Sequence, residues 1–360
     1  MVIMRQPSFP LKGRGTSANP PNRFARFTYH AEPDGSDSAE ARLGPHTRLW
    51  RDPARTILTR NESPDVGFTV SVNPYRGCEH GCIYCYARPT HEWLGFSAGL
   101  DFETQILVKE DAPRLLHAAL ASPSWRPQVI ALSSVTDPYQ PAERHLRLTR
   151  RCLEVLAAWR NPVVIITKSF LVTRDVDVLR PLAHVQAVAV FLSVTTLNVR
   201  LAQVMEPRAS SPTRRLEAIR RLAHAGIPTG VMVAPLIPGL TEHEMPAILR
   251  AAAQAGAHFA GHTILRLPHG VGDLFSRWLT THYTDRKDTV LNKLRAMREG
   301  KLHEVRWHTR MRGEGALAES LHALFALACR QAGLSPHGPQ LSTAAFRRLD
   351  KTGQLPLFTE

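Results

Sequence analysis

Long apolar runs are missing from this sequence. Its 360 residues contain no stretch of eighteen consecutive apolar residues, the length that a transmembrane helix needs. The first fifteen residues, MVIMRQPSFPLKGRG, also lack the apolar core of a secretory signal peptide. We therefore expect no membrane partner and no export signal. The hydrophobic content of 43% is that of a globular protein with a sizeable core.

Acidic residues and lysine are both scarce beside arginine. The 45 Lys and Arg residues outnumber the 31 Asp and Glu residues, which gives a formal net charge of +14. Such a surface attracts phosphates and favours a nucleic-acid partner. An arginine bias of this kind is also typical of proteins from GC-rich genomes, so both explanations stay open here.

Cysteine is rare as well, with five residues in the whole chain. Three of them, Cys78, Cys82 and Cys85, share the stretch NPYRGCEHGCIYCYARP at residues 73–89, the cysteine loop. Three thiolates this close must bind metal or repel one another, and their odd number argues against disulfides. A closed zinc site or a fully ligated iron–sulfur cluster uses four ligands. A cubane held by three cysteines leaves one iron open.

The other residues of the loop leave a second interpretation open. A zinc knuckle would need His80 or His91 as a fourth ligand. Gly77 and Gly81 lie where backbone must pass close to a cluster, and we expect a positive φ there.

Apolar strands alternate with helices along the middle of the chain. We predict strands at residues 69–74, 129–134, 163–168, 188–194, 229–235 and 259–267. Strands that are apolar along their length indicate a parallel sheet covered on both faces. Six are too few for a closed eight-fold barrel. The predicted fold is α/β, a partial (β/α)6 TIM-type barrel, with a doubly wound open sheet as the alternative.

The rest of the chain divides around this barrel. Residues 1–65 are rich in Pro, Gly, Arg and Ser and predict an irregular N-terminal extension, with a mobile linker at 31–41. The barrel takes residues 66–268. Only helices are predicted in the C-terminal region 269–335, and residues 336–360 are predicted to be a tail.

Polar residues follow each of the six predicted strands. In parallel barrels, the working residues lie at these C-terminal strand ends. The residues concerned are the three cysteines, the stretch 133–141, Lys168, Ser193 with Thr195 and Thr196, the stretch 234–242, and Arg266. Each alone could be a turn residue or a solvated charge, but together they predict one binding site.

The pattern C-x3-C-x-aromatic-C, with Tyr84 as its aromatic residue, follows a predicted strand and resembles the cluster motif of radical S-adenosylmethionine (SAM) enzymes. The resemblance implies a [4Fe–4S] cluster on Cys78, Cys82 and Cys85, SAM bound at the open iron and beside Tyr84, and reductive cleavage of SAM to a 5′-deoxyadenosyl radical. It also implies an electron donor such as flavodoxin or ferredoxin. Reduced cysteines, an oxygen-sensitive cluster and the missing export signal predict a cytoplasmic protein.

Within that family, the chain resembles the spore photoproduct lyase group, whose wider branch is often labelled DNA repair photolyase. The likeness covers about residues 68–267. It is carried by TKS at 167–169, FLSV at 191–194, Glu206 and RRLEA at 214–218. The resemblance implies that Lys168 and Ser193 hold polar groups of SAM and that Arg215 meets its carboxylate.

A second motif of the family is partly present. Ile237 and Gly239, with Glu242, resemble the fifth-strand motif G-x-I-x-G-x-x-E, which supports the adenine of SAM. Pro235 replaces its first glycine. Thr241 and Glu244 also have the spacing of a helix capping box.

The sequence departs from the lyase at its hydrogen donor. The lyase has a cysteine after its second strand, and Ser134 stands there in this chain. A serine O–H bond is too strong to give a hydrogen atom readily to a carbon radical. Tyr86, which matches the lyase's relay tyrosine, is retained and is the predicted catalytic residue. Thymine-dimer reversal is therefore not expected, whereas related radical chemistry is.

The substrate stays open at this stage. The charge, the lyase likeness and the segment RWHTRMRG at 306–313 favour nucleic acid. The same segment could simply be a basic loop over the barrel. A protein or small-molecule substrate is the alternative, and a non-enzymatic zinc module that binds nucleic acid is another.

Overall fold

The computed structural model describes residues 11–25 and 46–349. The linker predicted at 31–41 and the end of the predicted tail lie outside these ranges. The strands are β1 (Arg48–Arg51), β2 (Leu58–Arg60), β3 (Val70–Val72), β4 (Tyr75–Arg76), β5 (Gln105–Val108), β6 (Ile130–Leu132), β7 (Val163–Thr167), β8 (Val188–Ser193), β9 (Thr229–Leu236) and β10 (Phe259–Ile264).

Helices connect and flank these strands. The α-helices are α1 (Asp101–Thr104), α2 (Ala112–Ala121), α3 (Glu143–Leu146), α4 (Leu148–Trp159), α5 (Val176–His184), α6 (Val199–Met205), α7 (Pro212–His224), α8 (Met245–Gln254), α9 (Val271–His282), α10 (Lys287–Ala296) and α11 (Gly315–Ala332). In the described part of the chain, no helix is long and apolar enough to cross a membrane.

The main sheet has seven strands in the order β10-β9-β8-β7-β6-β3-β2. The strands from β3 to β10 in this order pair in parallel, and each overlaps one of the six predicted segments. Strand β2 joins one edge antiparallel to β3. The parallel strands follow one another in chain order, without the reversal of a doubly wound sheet. Because no pairing joins β10 to β2 among the described residues, the sheet is open and fits a partial TIM-type fold.

Helix α7 shows how the sequence directs these elements. The Ser211 side chain accepts a hydrogen bond from the Arg214 N–H, and Pro212 occupies the first turn. Ile219 and Leu222 are fully buried, which stabilises the fold by about 1.5–3 kcal/mol for each side chain. Gly226, with φ +76°, follows the end of the helix.

A second, three-stranded sheet was not predicted. Its order is β1-β5-β4, and β5 pairs in parallel with β1 and antiparallel with β4. Together with β2, strand β1 shows that the 1–65 region is not wholly irregular. These strands have two to four residues, too few for an alternating pattern to be recognised.

The first described residues pack against the cysteine loop and the segment after it. The Gly15 N–H donates to the Glu103 carboxylate at 2.9 Å, and the Leu100 N–H donates to the Ala18 carbonyl at 2.9 Å. The Asn22 side-chain amide donates to the carbonyls of Glu92 and Phe96. Residues 11–25 have no helix or strand, as predicted, but these contacts fix them in place.

The C-terminal region is helical, as predicted, but its last described residues do not form a free tail. The Arg347 N–H donates to the Trp159 carbonyl at 3.0 Å and the Ser342 N–H to the Gln186 carbonyl at 2.9 Å. The Phe346 ring lies 5.9 Å from the Trp159 ring. Because Trp159 and Gln186 precede strands β7 and β8, this segment runs along the N-terminal ends of the strands, opposite the cysteine loop.

Residues 304–312, the covering segment, lie between the two edges of the main sheet. The Ile264 N–H of β10 donates to the Met311 carbonyl at 3.1 Å. Asp65, in the loop between β2 and β3, accepts from the His308 N–H and pairs with Arg310. The basic segment singled out in the sequence therefore links β10 to the loop that follows β2.

Candidate functional site

The cysteine loop begins directly after β3, at the C-terminal end of that strand. Gly77 and Gly81 have φ of +82° and +67°, as expected from the sequence. A Cβ atom at Gly81 would lie 2.6 Å from the Glu103 Oε2 atom. Only glycine fits both the backbone conformation and the space at this position.

A buried ion pair supports the loop from behind. The Arg88 guanidinium donates to the Cys82 carbonyl at 3.0 Å, to the Gly99 carbonyl at 2.8 Å and to the Glu103 carboxylate at 2.6 Å. Sequence reasoning missed both charged residues. Their signal was an arginine placed three residues after the last cysteine, which a solvated charge would explain equally well.

The three cysteines are free thiols, and Cys78 and Cys82 are buried. Burial raises the pKa of Cys78 well above its usual value, and the nearby Asp137, Cys82 and Cys85 raise it further. Thiols that raise one another's pKa are close neighbours that would bear charge at high cost without a cation. This donor set fits the iron–sulfur cluster that the resemblance implies.

The histidines considered as zinc ligands have other partners. His80 Nδ1 lies 3.3 Å from the Asp137 carboxylate, and His91 Nε2 is hydrogen-bonded to the Gln105 carbonyl at 2.8 Å. In residues 11–25 and 46–349, no group of three or more His, Cys, Asp or Glu side chains is arranged to hold a single metal ion such as zinc.

Asp137 connects the cysteine loop to the next strand ends. It accepts hydrogen bonds from the Thr167 hydroxyl at 2.7 Å and the Lys168 N–H at 2.8 Å. Burial would raise its pKa, but His80 and these hydrogen bonds outweigh burial and lower the pKa to about 2. The carboxylate therefore stays ionised and fixes the ends of β6 and β7 against the loop.

Tyr84 belongs to a buried network centred on Glu206. The Tyr84 hydroxyl donates to the Glu206 carboxylate, which also accepts from the Thr195 hydroxyl at 2.7 Å and pairs with Arg215. Arg215 further donates to the Ser193 carbonyl at 3.0 Å. Burial would raise the pKa of Glu206, but Arg215 and Lys168 lower it to about 2. The charge of Arg215 is thus already matched by a carboxylate.

Lys168, at the end of β7, lies beside this network. Its ammonium group donates to the Ala234 carbonyl at 3.1 Å and lies 5.9 Å from the centre of the Tyr84 ring. Within the described ranges, no carboxylate oxygen lies within 4.0 Å of it. Ser193 is buried at the end of β8. Lys168 therefore keeps donors that the protein itself does not use.

The loop after β9, which is the fifth predicted strand, packs against α10 of the C-terminal region. Ile237 is buried, and its N–H donates to the Thr241 hydroxyl at 3.0 Å. Gly239 has φ +88°, and a Cβ there would lie 3.2 Å from Val290 of α10. The predicted capping box is wrong, because the Glu244 carboxylate accepts from Thr196 and from the Leu197 N–H instead.

Tyr86 and Ser134 lie together. The Tyr86 hydroxyl donates to the Ser134 carbonyl, and the Ser134 hydroxyl lies 3.0 Å from that of Ser71. The Arg266 guanidinium, after β10, lies over the Tyr86 ring at 4.9 Å. The structure thus forms two groups from the predicted residues: one around Tyr84, Glu206 and Lys168, and one around Tyr86.

The Radical SAM superfamily model matches residues 72–252, which include the cysteine loop and the Tyr84 network. An uncharacterized protein of Mycobacterium tuberculosis (strain ATCC 25618 / H37Rv) is 39% identical over 216 residues, 59% of this chain and 63% of its own length. One from Methanocaldococcus jannaschii is 31% identical, over 48% of this chain and 62% of its own. The Radical SAM Nalpha-GlyT isomerase of Pseudomonas phage M6 is 24% identical, over 49% and 35%. The chain spans less than two thirds of these relatives.

Among solved structures, the spore photoproduct lyase complexed with dinucleoside spore photoproduct matches with a TM-score of 0.59 and 17% identity, over 80% of this chain and 81% of that chain. A lyase variant with bound AdoMet and dinucleoside spore photoproduct gives a TM-score of 0.58. At this identity the likeness shows the fold alone. Because the superfamily model covers half of the chain, from the first cluster-motif strand to α8, the protein belongs to the radical SAM superfamily.

Proposed function

We propose that Cys78, Cys82 and Cys85 hold a [4Fe–4S] cluster and that the enzyme uses it with SAM to modify nucleic acid. The observation that carries this is the position of three neighbouring free thiols in the loop that follows β3, in a radical SAM domain. When bound, the cluster and SAM supply the reductive cleavage of SAM to a 5′-deoxyadenosyl radical. The chain positions both groups and keeps water away from them.

We assign the carboxylate of SAM to Lys168. Its ammonium group has donors to spare and lies next to Tyr84, whereas the donors of Arg215 are taken up by Glu206 and two carbonyls. Arg215 is then a positioning residue that fixes Glu206, and through it the Tyr84 hydroxyl. Ser193 offers a hydroxyl at the end of β8, and Ile237 and Gly239 shape the loop after β9.

Exposed aromatic rings near arginines support a nucleic-acid substrate. Trp93 is 74% exposed, and its ring lies 4.2 Å from that of Phe24. The Arg23 guanidinium lies over the Phe24 ring at 5.1 Å. Trp307, in the basic covering segment, is 53% exposed. Bases stack on such rings whatever their sequence, and the excess positive charge attracts the backbone. The dinucleoside in the lyase neighbour is consistent with this substrate class.

Tyr86 is the proposed catalytic residue. Ser134 cannot replace the lyase's thiol, because its O–H bond is too strong, and it is already hydrogen-bonded to Ser71. Tyr86 has a weaker O–H bond and lies against Ser134. We therefore propose radical chemistry on nucleic acid other than thymine-dimer reversal, with flavodoxin or ferredoxin as electron donor.

Anaerobic reconstitution with iron and sulfide, followed by EPR of the dithionite-reduced protein, tests the cofactors. We expect a [4Fe–4S] signal that changes when SAM is added. A colourless protein with one zinc per chain would overturn the proposal in favour of the binding module.

Salt-dependent binding tests the substrate. Single-stranded oligonucleotides are expected to bind, and to lose most of their affinity between about 50 and 200 mM salt. An oligonucleotide affinity that does not change with salt concentration would favour a protein or small-molecule substrate.

A further inference from the structure

Two arginines with buried, unsatisfied donor atoms, Arg266 and Arg298, lie on the Tyr86 side of the site. Arg266 follows β10, and Arg298 lies just after α10. Arg298 is 1% exposed, and its Nη2 donates to the Leu265 carbonyl at 2.6 Å. Its Nε and Nη1, the Nε of Arg266 and the Nδ1 of His303 are all buried without a hydrogen-bond partner in the structure. Four donor or acceptor atoms are thus unsatisfied in one neighbourhood.

The nearby carboxylates do not neutralise these arginines. Glu304 accepts from the N–H groups of Val305 and Arg306 and pairs with the Arg306 guanidinium at 3.0 Å. Asp65 pairs with Arg310. In the described part of the chain, neither Arg266 nor Arg298 has a carboxylate oxygen within 4.0 Å.

The three side chains act on one another electrostatically. Burial lowers the pKa of Arg298 to about 10, and the charge of Arg266 contributes to this. The pKa of His303 is lowered to about 4, mainly by burial and further by the charges of Arg266, His269 and Arg298. The His303 and His269 rings lie 5.7 Å apart. Like charges in one buried place destabilise the protein unless an anion joins them.

Buried donors in native proteins are almost always satisfied by protein, water or ligand. An arrangement of two guanidinium groups with free N–H donors matches a phosphate group, which accepts several such bonds at once. The group lies on the Tyr86 side of the site, through Arg266 at 4.9 Å from the Tyr86 ring. Lys168 and Tyr84 belong to the other group of site residues.

We propose that Arg266, Arg298 and His303 form a phosphate pocket that holds a backbone phosphate of the substrate and places the adjoining nucleotide beside Tyr86. This inference rests on the proposed nucleic-acid substrate. The pocket gives the enzyme a fixed point on the backbone, so that one nucleotide is presented to the radical.

Phosphate binding can be measured without cluster or substrate. Inorganic phosphate is expected to raise the melting temperature of the protein more than chloride at the same ionic strength. The effect should disappear in Arg298→Met and remain in Arg295→Met, a matched change on α10 whose guanidinium donates to Asn292 in an exposed position. Arg298→Met is expected to melt no lower than the parent in phosphate-free buffer, because it removes an unpaired buried charge. No phosphate response in the parent, or a strongly lowered melting temperature of Arg298→Met, would overturn the pocket.

Oligonucleotide binding extends the test to the substrate. Arg266→Gln is expected to weaken binding of a single-stranded oligonucleotide about tenfold. It should also reduce the slope of log binding constant against log salt concentration by about 0.7, the value for one phosphate contact on a single strand. If saturating SAM abolishes the phosphate response, the pocket belongs to SAM, and the inference fails. If phosphate stabilises the protein but oligonucleotides do not bind, the proposed substrate class fails instead. An EPR signal that responds to SAM, without any phosphate response, removes the pocket alone.

Discussion

The Arg88 guanidinium and the Glu103 carboxylate are 2.6 Å apart, and neither side chain is exposed. Burial raises the pKa of Glu103 even with Arg88 beside it, so desolvation outweighs the attraction of the pair. Such a pair adds little net stability, but breaking it leaves one charge buried without a partner. Arg88 also holds the Cys82 carbonyl, so damage to the pair should reach the cluster ligands.

The first prediction concerns this pair. Glu103→Gln is expected to lower the free energy of unfolding by about 3–5 kcal/mol and to reduce the iron bound after reconstitution. Urea unfolding and iron analysis measure the two effects. Glu110→Gln is the control, because its partner Arg51 is 72% exposed and exposed pairs contribute about 1 kcal/mol or less. Equal effects of the two variants would contradict the prediction.

The second prediction separates backbone strain from close contact. Gly81 and Gly95 both have positive φ, but a Cβ would meet nothing within 4 Å at Gly95 and the Glu103 carboxylate at Gly81. Gly95→Ala is expected to cost about 1–2 kcal/mol in unfolding free energy. Gly81→Ala should cost more, and should lose iron where Gly95→Ala does not. The contact with Glu103 has no consequence if the two variants unfold alike.

The third prediction concerns the cluster ligands. Alanine at Cys78, Cys82 or Cys85 is expected to abolish the reconstituted [4Fe–4S] EPR signal, because each thiolate holds one iron. Cys152→Ala, which changes a fully buried thiol in α4, should keep it. A normal signal from any of the three loop variants would remove that residue from the ligand set.

The fourth prediction concerns Ser134. Ser134→Cys is expected to give the enzyme a hydrogen donor next to Tyr86 and to produce repair of dinucleoside spore photoproduct, which the parent protein should lack. Product formation is followed by chromatography. Adding Tyr86→Phe should abolish the gained activity by interrupting the relay. Repair by the parent at the rate of the variant would show that no thiol is needed at this position.

The fifth prediction concerns acid stability. Burial lowers the pKa of His262 to about 4, helped by His322 and Arg312. The unfolded chain, with a histidine pKa of about 6.5, therefore takes up a proton at a pH where the folded protein does not. The stabilisation is complete above about pH 6.5 and is lost as pH falls toward about 4.

The contribution of His262 can be measured as the change in the free energy of unfolding between two pH values. Stability should fall by about 2 kcal/mol more between about pH 7 and pH 5 in the parent than in His262→Gln. Urea unfolding at both values measures it. His262 Nε2 is hydrogen-bonded to His322 at 2.7 Å, and its ring packs on Phe325, so both variants need the same fold by circular dichroism. Parallel pH profiles would mean that another group carries the acid sensitivity.

The long strands were predictable because they are apolar along their length, and at 188–193 most of the residues are buried. The Ser211 cap was predictable because it depends on neighbouring residues only. Strand β4, with two residues, has no such signal. The prediction of a Thr241–Glu244 capping box was wrong because the Glu244 carboxylate accepts a hydrogen bond from Thr196, which is far away in sequence.

In the candidate site, too, the residues in local motifs were predictable, whereas those brought together by packing were not. The cysteine spacing and the strand ends located Lys168, Tyr84 and Tyr86, because such motifs are local. The engagement of Arg215 by Glu206 depends on how β8 and α7 pack. Arg298 belongs to none of the sequence motifs, and only the packing of the turn after α10 against the end of β10 brings it to the Tyr86 side. Long-range ion pairs and orphaned donors cannot be predicted from composition or spacing.

Among the described residues, the two edge strands of the main sheet, β10 and β2, do not pair with each other, and the covering segment links β10 to Asp65 in the loop after β2. Because a loop and not strand pairing connects the two edges, the described sheet does not form a closed ring around a bound molecule. A polymer that approaches the C-terminal ends of the strands from outside the sheet needs no free end to bring an internal unit to them. For the proposed substrate, covalently closed circles and linear molecules of the same sequence are therefore expected to be bound and modified equally well.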